Sequence, residues 1–273
     1  MTFDSPHGSI HYDICGPDDA PVVVFTPGIT MDLAAFAPQA QGLEHNFRIL
    51  RWDLPGHGES FALGERKFSF ALATDCLIGL LDELNIDTAA FVGVSLGSLI
   101  NQYVAHHHGE RVFALIDVGG LPLHEPMGRI ATLVWRLFNK VGTAIPEKKY
   151  YELFAKERAI TEETRQYLEE GIAKVGKSKV SRLTSEFLTD QAQGIPAPPD
   201  TPLLIINGEE EMSFVQKRSE KWHASIADSQ RIEIPGAGHI ANLDNAAAFN
   251  EALHTYLGQF EDRSLSGSES RQP

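Results

Sequence analysis

The sequence predicts an α/β protein: a mainly parallel sheet flanked by helices, with an inserted α-helical cap. Three observations carry this. Short apolar, β-branched runs alternate with segments whose apolar residues recur at helical spacing. That alternation stops near Leu121 and resumes near Leu203. The pentapeptide Gly93-Val94-Ser95-Leu96-Gly97 stands where a strand-like run meets a helical stripe.

The elements follow in order. Ser9–Cys15 alternates and reads as an early strand, and Val22–Phe25 is a second after the turn at 16–21. Arg48–Trp52 is another short strand. Leu72, Cys76, Leu77, Leu80, Leu81 and Leu84 mark an amphipathic helix. Strands Ala89–Val94 and Val112–Val118 flank a helix whose apolar face is Leu96, Leu99, Ile100, Tyr103 and Val104. Then the strands cease. Ile130, Leu133, Val134, Leu137, Phe138 and Val141 form one helical stripe, and Val180, Leu183, Phe187 and Leu188 form another. Between them Thr161, followed by Glu162 and Glu163, reads as a helix start with acids in its first turn. Prolines at 196, 198, 199 and 202 punctuate the return to the sheet. Leu203–Ile206 and Arg231–Ile234 are the last strands, with a helix around Phe214–Ser225 between them. A closing helix starts near Asp244, read as its N-cap, and runs through Phe249, Leu253, Tyr256 and Leu257. The expected division is a core of residues 1–120 and 195–262, a helical cap of 121–194, and a disordered tail of 263–273, rich in Ser, Gly and charge.

The bulk numbers narrow the function. At 273 residues, 42% hydrophobic and 22% charged, the chain has the composition of a soluble globular protein. A net charge of −14 argues against nucleic acid and against anionic membrane surfaces as partners. Leu121–Asp190 carries 12 Lys/Arg against 10 Asp/Glu, a net of +2, so the rest of the chain carries −16. Solvated helix faces account for this most simply; a cationic rim that draws an acidic substrate is the less favoured reading. Cys15 and Cys76 each sit in an apolar pattern and read as buried free thiols. There is no C-x-x-C, and His106-His107-His108 reads as solvated histidine at a helix C-terminus rather than a metal site. The first ten residues lack a basic start and an apolar run, so the expected location is cytoplasmic. Thr88–Ala105 is uncharged, but Ser95, Ser98, Asn101 and Gln102 spoil it as a membrane span.

Gly93–Gly97 is a G-x-S-x-G pattern. Held on a sharp strand-to-helix turn, Ser95 is a candidate nucleophile. A serine hydroxyl is weak at neutral pH and needs a base, and the base needs an orienting acid. His239 lies in Pro235-Gly236-Ala237-Gly238-His239, between the last strand and the closing helix, and is the candidate base. Its main rival is His57 in Gly56-His57-Gly58, which precedes Ser95. The candidate acids sit at strand ends: Glu209, Glu210 and Glu211 after Leu203–Ile206, and Asp117 at the end of Val112–Val118. An oxyanion hole needs backbone amides. The residue after the nucleophile, Leu96, supplies one, and Ile29, in the turn Thr26-Pro27-Gly28-Ile29-Thr30, is the candidate for the second.

From Val22 to Gly258 the chain resembles the α/β-hydrolase family, with a cap inserted after Val112–Val118. The Pro27-Gly28 loop, Asp53–Ser60, the Gly93–Gly97 turn and the Gly208-to-His239 segment carry the resemblance. Asp53-Leu54-Pro55-Gly56-His57-Gly58-Glu59-Ser60 is similar to the family's D-x-x-G-x-G-x-S loop, which implies a structural role for His57. The family's acid usually falls three residues after the glycine ending its strand, which here implies Glu211 after Gly208, with Asp117 as the alternative. The chain departs from the family's pattern at Pro27, where a His is usual, at Ser98, where a second Gly often follows, and at Glu211, where Asp is commoner.

The resemblance implies a serine hydrolase of a small carboxylic ester or related acyl substrate. Its catalytic residues would be Ser95, His239 and Glu211, with the amides of Ile29 and Leu96 binding the oxyanion and no metal or cofactor. A C–C bond hydrolase, lactonase, thioesterase or cofactor-free perhydrolase would use the same residues. A non-catalytic ligand-binding relative is the reading from a different class. Trp135, Phe138, Tyr150, Tyr151 and Phe154 supply bulk for an apolar pocket, about a third of them expected at the site. The sequence leaves the substrate and the oligomeric state open.

Overall fold

A computed structural model describes residues 1–60 and 67–260. The expected tail of 263–273 lies outside the described residues. Eight strands form one sheet: β1 (Thr2–Ser5), β2 (Gly8–Cys15), β3 (Val22–Thr26), β4 (Arg48–Trp52), β5 (Ala89–Val94), β6 (Val112–Val118), β7 (Leu203–Gly208) and β8 (Ser229–Ile234). Their order is β1-β2-β4-β3-β5-β6-β7-β8. β1 pairs with β2, and β2 with β4, antiparallel; every other pairing is parallel.

β5 and β7 are fully buried, and β6 is buried except at the half-buried Phe113, as expected of parallel strands covered on both faces. Successive residues serve opposite faces. Val24, Leu50, Phe91 and Leu115 pack with α2 (Phe70–Glu83) and α3 (Leu96–His107), and with Trp222 of α8 (Ser213–Ser225). Val23, Phe25, Ile49 and Val92 pack with α1 (Ala37–Leu43) and α10 (Ala246–Leu257) on the other face.

β1 and α1 escape the sequence pattern. β1 pairs tightly with β2, Thr2 opposite His11, and α1 is a seven-residue helix with proline in its first turn. The closing helix also differs from expectation. Its N-cap is Asn245, whose side chain accepts from the Ala248 amide at 3.2 Å, while Asp244 ends a separate short helix, α9 (Ala241–Asp244).

Between β6 and β7 the chain forms four helices: α4 (Arg129–Gly142), α5 (Glu147–Lys156), α6 (Glu162–Val175) and α7 (Lys177–Gln193). Thr161 caps α6, accepting from the Thr164 amide at 3.3 Å. Ala155 and Leu168 join one core, and Leu183 joins the other. The α4 stripe has the expected spacing but points outward, with Ile130 81% and Phe138 70% exposed. The polar face of α4 is what meets α7. Asn139 donates to the Ser181 carbonyl at 2.8 Å, and Arg136 donates to Thr189 Oγ1 at 2.7 Å.

Cys15 and Cys76 form no disulfide; Cys76 is buried and Cys15 half-buried. Among the described residues no helix is long and apolar enough to cross a membrane.

Candidate active site

β3, β5, β6, β7 and β8 are neighbours in the sheet and run parallel, so the loops after them gather at one edge. This is where ligands bind in open α/β sheets. Ile29, Ser95, Leu96, Glu211 and His239 come from the segments that follow β3, β5, β7 and β8.

Ser95 forms the joint of β5 and α3. Its φ of 53° and ψ of −109° place a non-glycine residue in strained backbone, as at a nucleophile turn. The turn is held by the Ser95 amide donating to the Val118 carbonyl at 2.8 Å. It requires Gly97, because a Cβ there would collide with the Thr26 carbonyl of β3. Ser98, the departure from a second glycine, is fully buried. It donates to the Gly93 carbonyl and accepts from the Val118 amide at 3.1 Å, which fastens the turn to β6.

His239 follows β8 and is 6% exposed; the Glu211 side chain is wholly buried. His239 Nδ1 donates to the Glu211 carboxylate, with Oε2 at 2.9 Å and Oε1 at 3.0 Å. Oε1 also accepts from the Met212 amide at 2.8 Å. Glu209 and Glu210 are exposed, and Glu209 instead accepts from the Gly236 amide at 2.9 Å. The structure therefore brings one of the three glutamates to the imidazole.

Asp117, the alternative acid, is buried at the end of β6. Its carboxylate accepts from Gln102 Nε2 at 2.8 Å and from the Gly120 amide at 2.9 Å, and it makes no hydrogen bond to His239. Burial pushes its pKa up to about 7; those two donors and the Ser98 hydroxyl oppose the rise, and the charge of Glu211 adds to it. His57, the rival base, is buried after β4, with Nδ1 3.3 Å from the Pro55 carbonyl and its ring edge-on to Phe68. Burial lowers its pKa to about 4. The neighbouring Asp53 organises the loop, accepting from the Leu33 amide at 2.7 Å and the Glu59 amide at 2.8 Å.

Ile29, Ser95, Leu96 and His239 line one cavity of about 140 Å³. The Ile29 amide donates to no described residue. The Leu96 amide opens α3, where the first turn has no acceptor of its own. Gly28 lies against Ser95, since a Cβ on it would be 3.5 Å from the Ser95 Cβ and 3.2 Å from the Val94 carbonyl. Trp135 and Phe154 line the same cavity; Phe138 and Tyr150 line a second one beside it, and Tyr151 lines neither.

Two residues of this edge carry roles that the sequence reading misses: Asp244 reads there only as a helix cap, and Arg158 is not singled out. Asp244 accepts from the amides of Gly238 at 2.9 Å, Ile160 at 3.0 Å and Thr161 at 3.0 Å, so it ties the His239 loop to the segment joining α5 and α6. Arg158 lines the cavity beside Ser95 and His239. Both act across more than 80 residues of sequence, a distance that helical and strand periodicity does not report.

The fold and this strand-edge geometry define an α/β hydrolase, and the chain belongs to the alpha/beta hydrolase family, matching it over residues 23–252. It is 28% identical over 239 residues to RutD of Klebsiella pneumoniae (strain 342), provisionally named a carbamate hydrolase, with 86% of this chain and 90% of that protein covered. It is 26% identical over 259 residues to 3-oxoadipate enol-lactonase 2 of Acinetobacter baylyi, covering 92% of this chain and 94% of that one. Among solved structures, the enol-lactonase from Burkholderia xenovorans LB400 superposes with a TM-score of 0.70 at 23% identity, over 94% of this chain and all (100%) of that chain. A thermophilic esterase from Thermogutta terrifontis gives a TM-score of 0.79 at 18% identity, over 96% and 98%. At such identities these structures speak to the fold.

Proposed function

We propose that the chain is a serine hydrolase of carboxylic esters or closely related acyl compounds. One observation carries the reading: a buried imidazole, held at Nδ1 by a buried carboxylate, lines the same cavity as a serine on a strained strand-to-helix turn. With Nδ1 donating to Glu211, Nε2 of His239 is the nitrogen left to accept a proton. Ser95 Oγ attacks the carbonyl carbon, and its proton passes to His239. The amides of Ile29 and Leu96 hold the oxyanion. The imidazolium returns the proton to the leaving group, an acyl-enzyme forms on Ser95, and water activated by His239 releases the acid. Glu211 orients the ring and stabilises its charged form. The names of the relatives, carbamate hydrolase and enol-lactonase, describe acyl compounds attacked at a carbonyl, which the same residues would serve.

The test is labelling with a fluorophosphonate probe, together with turnover of p-nitrophenyl acetate and butyrate. Wild type is expected to label and to turn over both esters, and Ser95→Ala to do neither. Glu211→Gln keeps the shape and loses the charge, and is expected to lower turnover by about 10³–10⁴-fold. A folded wild type that neither labels nor turns over would overturn the proposal in favour of a non-catalytic ligand-binding relative.

A further inference from the structure

We infer that Arg158 selects substrates bearing a carboxylate, so that this site takes an acid-ester in preference to the corresponding neutral ester; this rests on the hydrolase reading above. The first observation is chemical. Among the described residues, Arg158 and His239 are the only ionisable side chains lining the cavity that holds Ser95, whose walls are otherwise largely apolar, with Leu96, Leu99, Phe154 and Phe187 among them. A cation in such a wall is costly unless something anionic meets it.

The second observation is what Arg158 lacks. Its side chain is 20% exposed, and its one ion pair among the described residues is a 3.5 Å contact from Nη1 to Glu157, itself 68% exposed. Nη1 also donates to the Phe154 carbonyl at 3.0 Å, and the guanidinium carbon lies 3.8 Å from the centre of the Phe154 ring. The ring and the carbonyl of one residue thus hold the plane of the group. Nε and Nη2 donate to no described residue, although a guanidinium offers five N–H groups in a fork matched to a carboxylate. The charge of Glu211 favours the guanidinium but no hydrogen bond joins them, since the Glu211 oxygens are engaged by His239 and Met212. Burial accordingly lowers the pKa of Arg158 from its ordinary value.

The third observation is placement. The Arg158 carbonyl accepts from the Ile240 amide at 3.2 Å, and Asp244 bonds both Gly238 and Ile160. The backbone bearing the guanidinium is therefore fastened on both sides of His239. Arg158, Trp135, Phe154 and Thr184 line both the cavity at Ser95 and the neighbouring one of about 530 Å³. A substrate with its carbonyl at Ser95 would set its carboxylate at this shared wall. The reaction itself is unchanged: the ester bond breaks, water adds, and the distal carboxylate is a handle.

The experiment uses the monomethyl and dimethyl esters of succinate, glutarate and adipate, with initial rates followed by acid release. Wild type is expected to favour the monoester at one of these lengths. Arg158→Met is expected to lower that monoester-to-diester ratio of kcat/KM by about 10–100-fold, mostly through KM, as loss of a charge-assisted bond would. Arg158→Lys should restore part of the ratio, and the exposed-cation control Lys156→Met should leave it unchanged. In parallel, calorimetry on Ser95→Ala reads binding of the same monoesters, with binding expected there and lost in Ser95→Ala/Arg158→Met. Equal loss on both ester types would make Arg158 a support for the Glu211–His239 pair and overturn the proposal. No preference at any length and no tighter binding of the monoesters would overturn it too. If Ser95 fails to label and no ester turns over, the hydrolase reading fails, and the binding arm still decides the role of Arg158.

Discussion

Asp117 and Glu211 show how environment separates two carboxyls of the same edge. Glu211 holds the imidazole; Asp117 is enclosed with a Gln102 amide and the Gly120 backbone and is pushed up to about 7. An acid raised from 3.8 to about 7 binds more protons folded than unfolded. Its contribution to stability is complete below the unfolded value and is lost as pH rises through the folded one. His57 acts in the opposite sense. Lowered from 6.5 to about 4, it contributes above the higher value and loses that contribution as pH falls through the lower. The two partly cancel in the wild type, so a difference measurement is needed. The urea midpoint of Asp117→Asn minus that of wild type should rise between pH 4 and pH 8. A difference that stays flat across that range would mean Asp117 titrates normally.

At the scale of elements, spacing and direction part company. The apolar stripe of α4 was legible from its spacing, but not its outward aim, because hydrogen bonds from Asn139 and Arg136 to α7 decide which face turns in. Asp244 was legible only as a helix cap, since an aspartate before an apolar periodic run is what a cap looks like. Its actual donors are three amides, two from the segment joining α5 and α6 and one from the His239 loop, together with the Thr161 hydroxyl. A carboxylate receiving several amide donors contributes more than a neutral bond, so Asp244→Ala should destabilise the chain by about 1.5–3 kcal/mol. Because Gly238 adjoins His239, the same variant should also lower kcat, while the fluorophosphonate still labels Ser95 more slowly. Unchanged turnover with reduced stability would show that the loop keeps its position without the tie.

Across the whole molecule, the elements read most accurately were those whose local pattern and burial agree. β4, β5 and β6 start and end where the sequence placed them, because their apolar residues are covered on both faces of the sheet, even though Arg51 interrupts β4 and Asp117 interrupts β6. The Ser95 turn was legible for a related reason, since close backbone approach at the strand edge tolerates few residue types, whereas Glu211 stood out from Glu209 and Glu210 only through the family resemblance. Arg158 was hidden because its meaning lies in which cavity it lines. The helices between β6 and β7 raise the remaining question of cooperativity. They do not rest on the sheet edge as a separate layer. Leu183 is 1% exposed in the core that holds Leu99 and Ile205, and Leu168 is 1% exposed in the core that holds Val92 and Ile206. Apolar packing of this kind couples a segment to the sheet beneath it, so the cap helices and the strands should melt together. Leu183→Ala removes a buried side chain at a cost of about 2–5 kcal/mol. Calorimetry should show one transition in both proteins, with that of the variant lower by roughly 2–4 °C for each kcal/mol lost. If the cap unfolded on its own, the variant would instead show a new early transition beside an unshifted main one, and the two cores would have to be treated as energetically separate from the helices that cross between them.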